Sequence, residues 1–223
     1  MNSNRAFLVF AAISAIALTI LRALSLDAIT RWLIPGFELV VLARAILPIK
    51  PWNSLRAHLI CGLTFCLLGD TLINWTPLGK ACILFFSVTH LNLLWIFVHL
   101  RRPKLADLSA ILPWCLVSLV VFAMVTASLR TWMFPALAAY LLLLDLMLWR
   151  ALALLPAPRP GGALLLALGG LLFFATDHLV VLQFLRPREV WVIATWICYP
   201  PALALLALSC RPLGATTSKR QQR

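Results

Sequence analysis

Long apolar runs recur along this chain of 223 residues and limit what it can fold into. Each run is about 20 residues long, which is enough for one helix to cross the hydrocarbon core of a bilayer. Short segments that carry Arg, Lys, Pro and Gly separate the runs. Hydrophobic residues make up 63% of the chain and charged residues only 12%, a balance that excludes a soluble domain with a polar surface. The sequence therefore predicts an all-α integral membrane protein.

We predict a bundle of eight transmembrane helices, at roughly residues 6–25, 31–48, 57–76, 78–100, 107–128, 131–155, 161–186 and 189–210. The second helix is the least regular, because Pro35, Glu38 and Arg44 interrupt its apolar run. Residues 1–210 are expected to form a single domain. The polar, basic tail at 211–223 is expected to be disordered.

The net charge of +12 reflects membrane topology rather than a nucleic acid partner, because the 19 Lys and Arg residues are scattered among the loops. A cytoplasmic amino terminus puts most of them on the cytoplasmic side, so both termini are predicted to be cytoplasmic. The compact, Arg-rich chain suggests a bacterial inner membrane. No CxxC or paired-histidine spacing is present, so we expect no disulfide framework, no metal and no cofactor. No sequence feature indicates an oligomeric state.

Asp70, in "FCLLGDTLINW", and Asp177, in "LLFFATDHLVVLQF", lie deep inside apolar runs. A carboxylate within a bilayer is costly and usually functional. At 1.5 Å per residue, Asp70 lies about 20 Å and Asp177 about 24 Å from the cytoplasmic ends of their helices. Carboxylates at similar depth can face one cavity and support acid/base chemistry, with one neutral and the other ionised. A polar clamp that holds helices together is the alternative.

Polar neighbours of the two aspartates are further site candidates. Asn74 lies one helical turn after Asp70, on the same face, where it can orient the carboxyl group. Thr176 and His178 flank Asp177. Because adjacent helical residues point about 100° apart, Asp177 and His178 do not form a simple dyad, and His178 either supports the site as a second donor or faces a neighbouring helix.

Three more polar residues lie within the predicted helices. His90 lies near the middle of the fourth helix, where an imidazole needs a hydrogen-bond partner in a site or in the bundle. Glu38 follows Pro35–Gly36, where we predict a helix irregularity that can line a cavity. Tyr199 precedes Pro200–Pro201 and offers a phenol at a predicted helix break, to hold a headgroup or satisfy a freed carbonyl.

Five stretches, in this order and spacing, carry a resemblance to a known family: "GLTFCLLGDTLI" (Gly62–Ile73), "FFSVTHLNLLW" (Phe85–Trp95), "YLLLLDLMLWRA" (Tyr140–Ala151), "GGLLFFATDHLV" (Gly169–Val180) and "CYPPALALLALS" (Cys198–Ser209). They resemble the YhhN family of eight-span membrane proteins, whose characterised members are lysoplasmalogenases. By position, the family's Gly-Asp corresponds to Gly69–Asp70, its mid-helix His to His90, its Ser-Asp to Thr176–Asp177 and its last-helix Tyr to Tyr199.

The chain also departs from the family pattern. Leu93 replaces the Tyr three residues after the His, and the Lys-Pro early in the second span is missing, with Pro35 to Glu38 in roughly its place. The polar residue that usually follows Tyr199 is absent. These departures imply that headgroup recognition differs from that of the family even if the chemistry is kept.

The resemblance implies a hydrolase that cleaves the vinyl ether bond of a lysoplasmalogen, a lysophospholipid, to a fatty aldehyde and glycerophosphoethanolamine or glycerophosphocholine. Asp70 and Asp177 would be the catalytic pair. We expect Asp177 to be the acid, because its more apolar surroundings favour a neutral carboxyl group, and Asp70 to be its charged partner. Four basic residues near the outer interface are candidates for the phosphate or for ordinary snorkelling: Arg31, Lys80, Arg186 and Arg188.

Two other classes of protein fit the same acids. A proton- or cation-coupled transporter would use Asp70 and Asp177 during alternating access, and a weak similarity between the third and seventh helices suits such a carrier. A non-catalytic scaffold would use them only to lock helices together.

Overall fold

The computed structural model describes residues 3–47, 53–76, 81–102, 104–126, 133–155, 162–185 and 187–221. Within these ranges the chain forms eight α-helices, one 3-10 helix at Leu105–Ala110 and no β-strand. The α-helices are α1 (Ser3–Ala23), α2 (Asp27–Ile46), α3 (Ser54–Trp75), α4 (Cys82–Leu100), α5 (Leu112–Thr126), α6 (Phe134–Ala153), α7 (Ala163–Leu185) and α8 (Glu189–Gln221). The predicted all-α membrane bundle is confirmed.

Six of the described helices are long and apolar enough to cross a membrane: α1, α3, α4, α6, α7 and the part of α8 that ends at Cys210. The chain is therefore a multi-pass membrane protein. The other two differ in composition or length, since α2 carries Arg31, Glu38 and Arg44 and α5 has only 15 residues. That α2 and α5 also cross the bilayer stays a prediction, as does the cytoplasmic location of both termini.

Several helix boundaries differ from those predicted. A 3-10 helix replaces the start of the fifth predicted span, so α5 begins at Leu112. The backbone of α8 continues to Gln221, through the tail predicted to be disordered, because extending a packed helix needs no new nucleation. Helices α2 and α8 are also continuous through Pro35–Gly36 and Pro200–Pro201, where we expected an irregularity and a break. Membrane helices tolerate proline where neighbouring groups satisfy the freed carbonyls.

Helix α8 is central to the bundle, because it packs against α1, α2, α3 and α7. Its closest neighbour is α7, and Gly169 permits that approach. A Cβ atom at Gly169 would lie 2.9 Å from Leu206 Cδ2 and 3.1 Å from the Ala202 carbonyl oxygen. The same helix thus faces Glu38 on α2, Asp70 on α3 and the Asp177 segment of α7.

Candidate functional site

A small cavity lies where α1, α3, α7 and α8 meet, and Asp70 and Asp177 line it. Its volume is about 60 Å³, which is room for a few water molecules. Its polar lining comes mainly from Arg22, Asp70, Asn74, Thr176, Asp177 and Tyr199. The structure therefore brings Asp70 and Asp177 to one cavity, with carboxyl groups from two helices exposed to the same small space.

The Tyr199 cluster is made of Glu38, Cys66, Asp70 and Tyr199, of which Asp70 and Tyr199 line the cavity. The Tyr199 hydroxyl lies 2.5 Å from Glu38 Oε1 and 3.0 Å from Cys66 Sγ, and it also hydrogen-bonds Asp70 Oδ2. All four residues are buried. A phenol has one proton to donate, yet two carboxyl groups contact this hydroxyl, so one of them must itself carry a proton to complete both hydrogen bonds.

The His90 cluster is made of His90, Tyr140, Met147 and Asp177, of which Asp177 lines the cavity. Tyr140 donates a hydrogen bond of 2.8 Å to Asp177 Oδ2, and His90 Nε2 contacts the same oxygen. His90 Nδ1 lies 3.3 Å from Met147 Sδ. In the tautomer with the proton on His90 Nε2, a phenol and an imidazole N–H both donate to one carboxylate oxygen, an arrangement that suits an ionised carboxylate.

A third group of polar residues, the Ser118 cluster, lies beside the site and not in the cavity wall. Ser118 of α5 donates to Asp145 Oδ1 at 2.7 Å and lies 2.8 Å from His178 Nε2. His178 Nδ1 is 2.9 Å from the Phe174 carbonyl oxygen, which can only accept. His178 and Asp177 are adjacent on α7 but contact different helices, as their angular separation predicted.

Arg22 of α1 closes one end of the cavity. Its Nη1 donates to Asp27 Oδ1 at 2.5 Å, and its Nη2 donates to Asn74 Oδ1 at 3.3 Å. Its guanidinium lies 5.7 Å from the centroid of the Trp196 ring. Asn74 in turn donates to the Asp70 carbonyl oxygen at 2.8 Å. A positive charge is therefore held one helical turn from Asp70.

The candidates from the sequence divide into three groups by location. Asn74, Thr176 and Tyr199 line the cavity with the two aspartates. Glu38 and His90 lie one hydrogen bond behind Tyr199 and Asp177. His178 belongs to the Ser118 cluster. Of the basic residues proposed for a phosphate, Arg31 is exposed over the Trp75 ring, whereas Lys80 and Arg186 lie outside the described residues.

Among the described residues, Glu38, Cys66 and Asp70 are also the ones that could hold a metal ion, since their ligand atoms all lie within 4.8 Å of one another. The sequence did not predict this group. The Tyr199 hydroxyl already bridges the three side chains, so an ion there would have to displace the phenol or accept it as a ligand. The arrangement fits a bridging proton without further change.

Sequence reasoning missed Tyr140, Ser118 and the site role of Arg22. One signal was available: the chain has only two tyrosines, against twelve phenylalanines, and both tyrosines lie inside predicted helices. Tyr140 and Tyr199 each hydrogen-bond an intramembrane aspartate. No comparable signal marked Ser118 or Arg22, because serine and arginine are common within and at the ends of membrane helices.

Comparison with known proteins gives one match. A model of the YhhN family matches residues 30–210, which is most of the chain and includes both aspartates, both tyrosines and His90. No curated protein and no solved structure matches significantly.

Proposed function

The chain belongs to the YhhN family, and from that premise we propose that it is a lysoplasmalogenase-like hydrolase of membrane lysophospholipids. It would cleave the vinyl ether bond to a fatty aldehyde and the glycerophospho-headgroup. The observation that carries this proposal is the pair of aspartates at one cavity, with opposite hydrogen-bond surroundings. Vinyl ether hydrolysis needs a proton donor and a nearby negative charge, and these surroundings supply one of each.

Asp70 is the proton donor in this scheme. The Tyr199 cluster holds two carboxyl groups on one hydroxyl, and one of the two must be protonated. With Asp70 protonated, its carboxyl group donates to the Tyr199 oxygen, and the Tyr199 hydroxyl donates to the Glu38 carboxylate. Glu38 supports Asp70 only through this hydroxyl, because it is buried and touches Tyr199 rather than the cavity.

Asp177 is the negative charge and the base. Hydrogen bonds from Tyr140 and His90 stabilise its ionised form. This assignment reverses the expectation from the sequence, in which the apolar surroundings of Asp177 favoured it as the acid. The apolar neighbours along a helix do not reveal the donors that other helices supply.

The proposed reaction has two stages in which the protons balance. Asp70 protonates the alkene carbon remote from the ether oxygen, giving an oxocarbenium ion that the Asp177 carboxylate stabilises. Water then attacks the cationic carbon and gives a proton to Asp177, forming a hemiacetal. As the C–O bond of the hemiacetal breaks, Asp177 returns its proton to the glycerol oxygen and Asp70 takes the hydroxyl proton. Both residues regain their starting states, as in two-carboxylate glycoside hydrolysis.

The proposal also includes the source of the substrate and the membrane in which the protein lies. The substrate is a single-chain lipid of the same membrane, and the buried site suits a bond that lies just inside the headgroup region. We place the protein in a bacterial inner membrane. No step of the scheme requires a metal or an organic cofactor.

A proton-coupled carrier is the second candidate, and the Ser118 cluster favours it. Asp145 and His178 are a second buried acid and base next to the cavity, which a hydrolase does not need. A carrier would use both clusters to move protons across the bundle.

Aldehyde release from a lysoplasmalogen by purified protein in detergent tests the proposal. Asp70→Asn and Asp177→Asn are each expected to lower the rate by about a thousandfold. Asp145→Asn is the matched control, since it removes a buried carboxylate outside the cavity and is expected to keep activity. The absence of aldehyde with wild-type protein, together with proton-dependent uptake by sealed vesicles, would instead establish the carrier.

A further inference from the structure

An open hollow of about 330 Å³ lies at the end of the bundle where α1 and α7 end and α2 and α8 begin. Two residues, Arg22 and Gln183, line both this hollow and the cavity that holds the aspartates. The two spaces are therefore neighbours, with the Arg22 guanidinium at their junction.

The hollow presents two positive and two negative side chains. Arg22 and Arg188 contribute the cations, whereas Asp27 and Glu189 contribute the anions. Arg22 and Asp27 already form an ion pair of 2.5 Å. The formal charge of these four groups sums to zero, so the hollow suits a zwitterionic ligand better than one with net negative charge.

Arg22 retains donor capacity for a phosphate. Among the described residues its Nε has no hydrogen-bond partner, and each Nη uses one of its two N–H groups. Guanidinium groups bind phosphate oxygens through two parallel N–H bonds. In a lysophospholipid only a few covalent bonds separate the phosphate from the vinyl ether oxygen. Arg22 contacts Asn74, which lies one helical turn after Asp70 on α3.

The lining also discriminates between the two common zwitterionic headgroups. The described residues of the hollow include no aromatic side chain, and a quaternary ammonium is typically recognised by an aromatic cage. A primary ammonium instead has three N–H donors, which match the carboxylates of Asp27 and Glu189.

We propose that this hollow is the headgroup seat of the enzyme and that it selects phosphoethanolamine over phosphocholine, with the phosphate on Arg22 and Arg188 and the ammonium on Asp27 and Glu189. The inference rests on the proposed function for the orientation of the lipid. It goes beyond that function because it assigns the headgroup preference to four named side chains.

The test measures binding apart from turnover. The probes are lysophospholipids whose single chain is joined by a saturated ether, which has no alkene carbon to protonate and is not cleaved. Their phosphate carries ethanolamine, choline or glycerol. Native mass spectrometry of the purified protein in detergent is expected to give about tenfold tighter binding of the ethanolamine lipid than of either other lipid.

Variants assign the preference to the hollow. Asp27→Asn and Glu189→Gln are each expected to reduce the ethanolamine preference about threefold or more without weakening the choline lipid. Arg22→Gln is expected to weaken all three lipids. Arg31→Gln is the matched control, because Arg31 is exposed on α2 over Trp75 and does not line the hollow. Equal affinity for the ethanolamine and choline lipids, or a preference unchanged in both acid variants, would overturn the inference.

The seat and the proposed chemistry fail in different ways. Selective binding without aldehyde release from the corresponding vinyl ether lipids would support the headgroup seat and contradict the hydrolase proposal. Equal aldehyde release from ethanolamine and choline lipids, with equal binding, would retain the hydrolase and remove the seat.

Discussion

The Tyr199 cluster and the His90 cluster face the same cavity and differ in their balance of donors and acceptors. In the Tyr199 cluster, two carboxyl groups and a thiol surround a single hydroxyl. In the His90 cluster, a hydroxyl and an imidazole converge on one carboxylate oxygen. Asp70 and Asp177 lie in similar apolar helices, so the different protonation states that we propose for them must come from their neighbours across the bundle. The number of hydrogen-bond donors aimed at a buried acid is more informative than the polarity of its own helix.

Among variants that keep both aspartates, the largest expected effect comes from removing both donors to Asp177. In the double variant His90→Gln/Tyr140→Phe, the carboxylate loses the phenol proton and the imidazole N–H, so its ionised form is no longer favoured. Since hydrogen bonds to charged groups contribute about 1.5–3 kcal/mol each, we expect kcat for aldehyde release to fall by about a hundredfold or more. Tyr140→Phe alone should lower kcat about tenfold with little change in KM. A double variant with wild-type kcat would show that the donors to Asp177 do not give the two clusters different roles in catalysis.

The next effect concerns the hydroxyl that bridges Glu38 and Asp70. Tyr199→Phe removes the hydroxyl that holds the shared proton on Asp70 and leaves two buried carboxyl groups without their shared partner. We expect kcat to fall about tenfold, and the protein to lose about 1–3 kcal/mol of stability, seen as a lower melting temperature in detergent. Phe173→Leu, a change to a buried ring that contacts Tyr199 at 6.1 Å between centroids, controls for packing. A stability loss in Tyr199→Phe with unchanged kcat would reduce Tyr199 to a structural clamp.

The sequence predicted the helices well and their neighbours poorly. Runs of about 20 apolar residues determine where membrane helices lie, because each backbone must satisfy its own hydrogen bonds in lipid. Boundaries were less accurate, as at Leu112 and Gln221, since helix ends depend on packing and on local continuation. The apolar runs predicted the fold class, and the five quoted stretches predicted the family. The sequence also indicated that the two aspartates share one cavity, because acids are rare in hydrocarbon.

The partners of those acids were not predictable in the same way. Helices α4 and α7 are apolar on nearly every side, so no periodicity marks the face that meets another helix. His90 was identified as needing a partner, but which helix supplied it depended on how α4, α6 and α7 pack around one another. Tyr140 and Ser118 therefore appeared only with the three-dimensional arrangement.

The helices that carry the two aspartates also differ in how tightly they pack, which predicts a smaller effect. In Gly169→Ala on α7, the new methyl group would meet the Ala202 carbonyl oxygen at 3.1 Å, and a backbone atom cannot move aside easily. We expect a loss of about 1–2 kcal/mol in stability, measured as a lower melting temperature. Gly62→Ala on α3 is the control, because its nearest contacts are at an ordinary 3.5 Å. Equal losses in the two variants would contradict the tighter packing of α7 on α8.

The smallest expected effect on activity tests whether the Ser118 cluster takes part in the chemistry at all. Ser118→Ala removes the hydroxyl between Asp145 and His178 but leaves the cavity wall and both of its clusters intact. If the cluster only joins α5 to α6 and α7, aldehyde release should change less than about threefold, while stability falls by about 1 kcal/mol. A loss of activity as large as that of Tyr140→Phe would mean that protons reach Asp177 through its neighbour His178. Catalysis would then also depend on Asp177 and His178 together, two adjacent residues of α7 that face different helices.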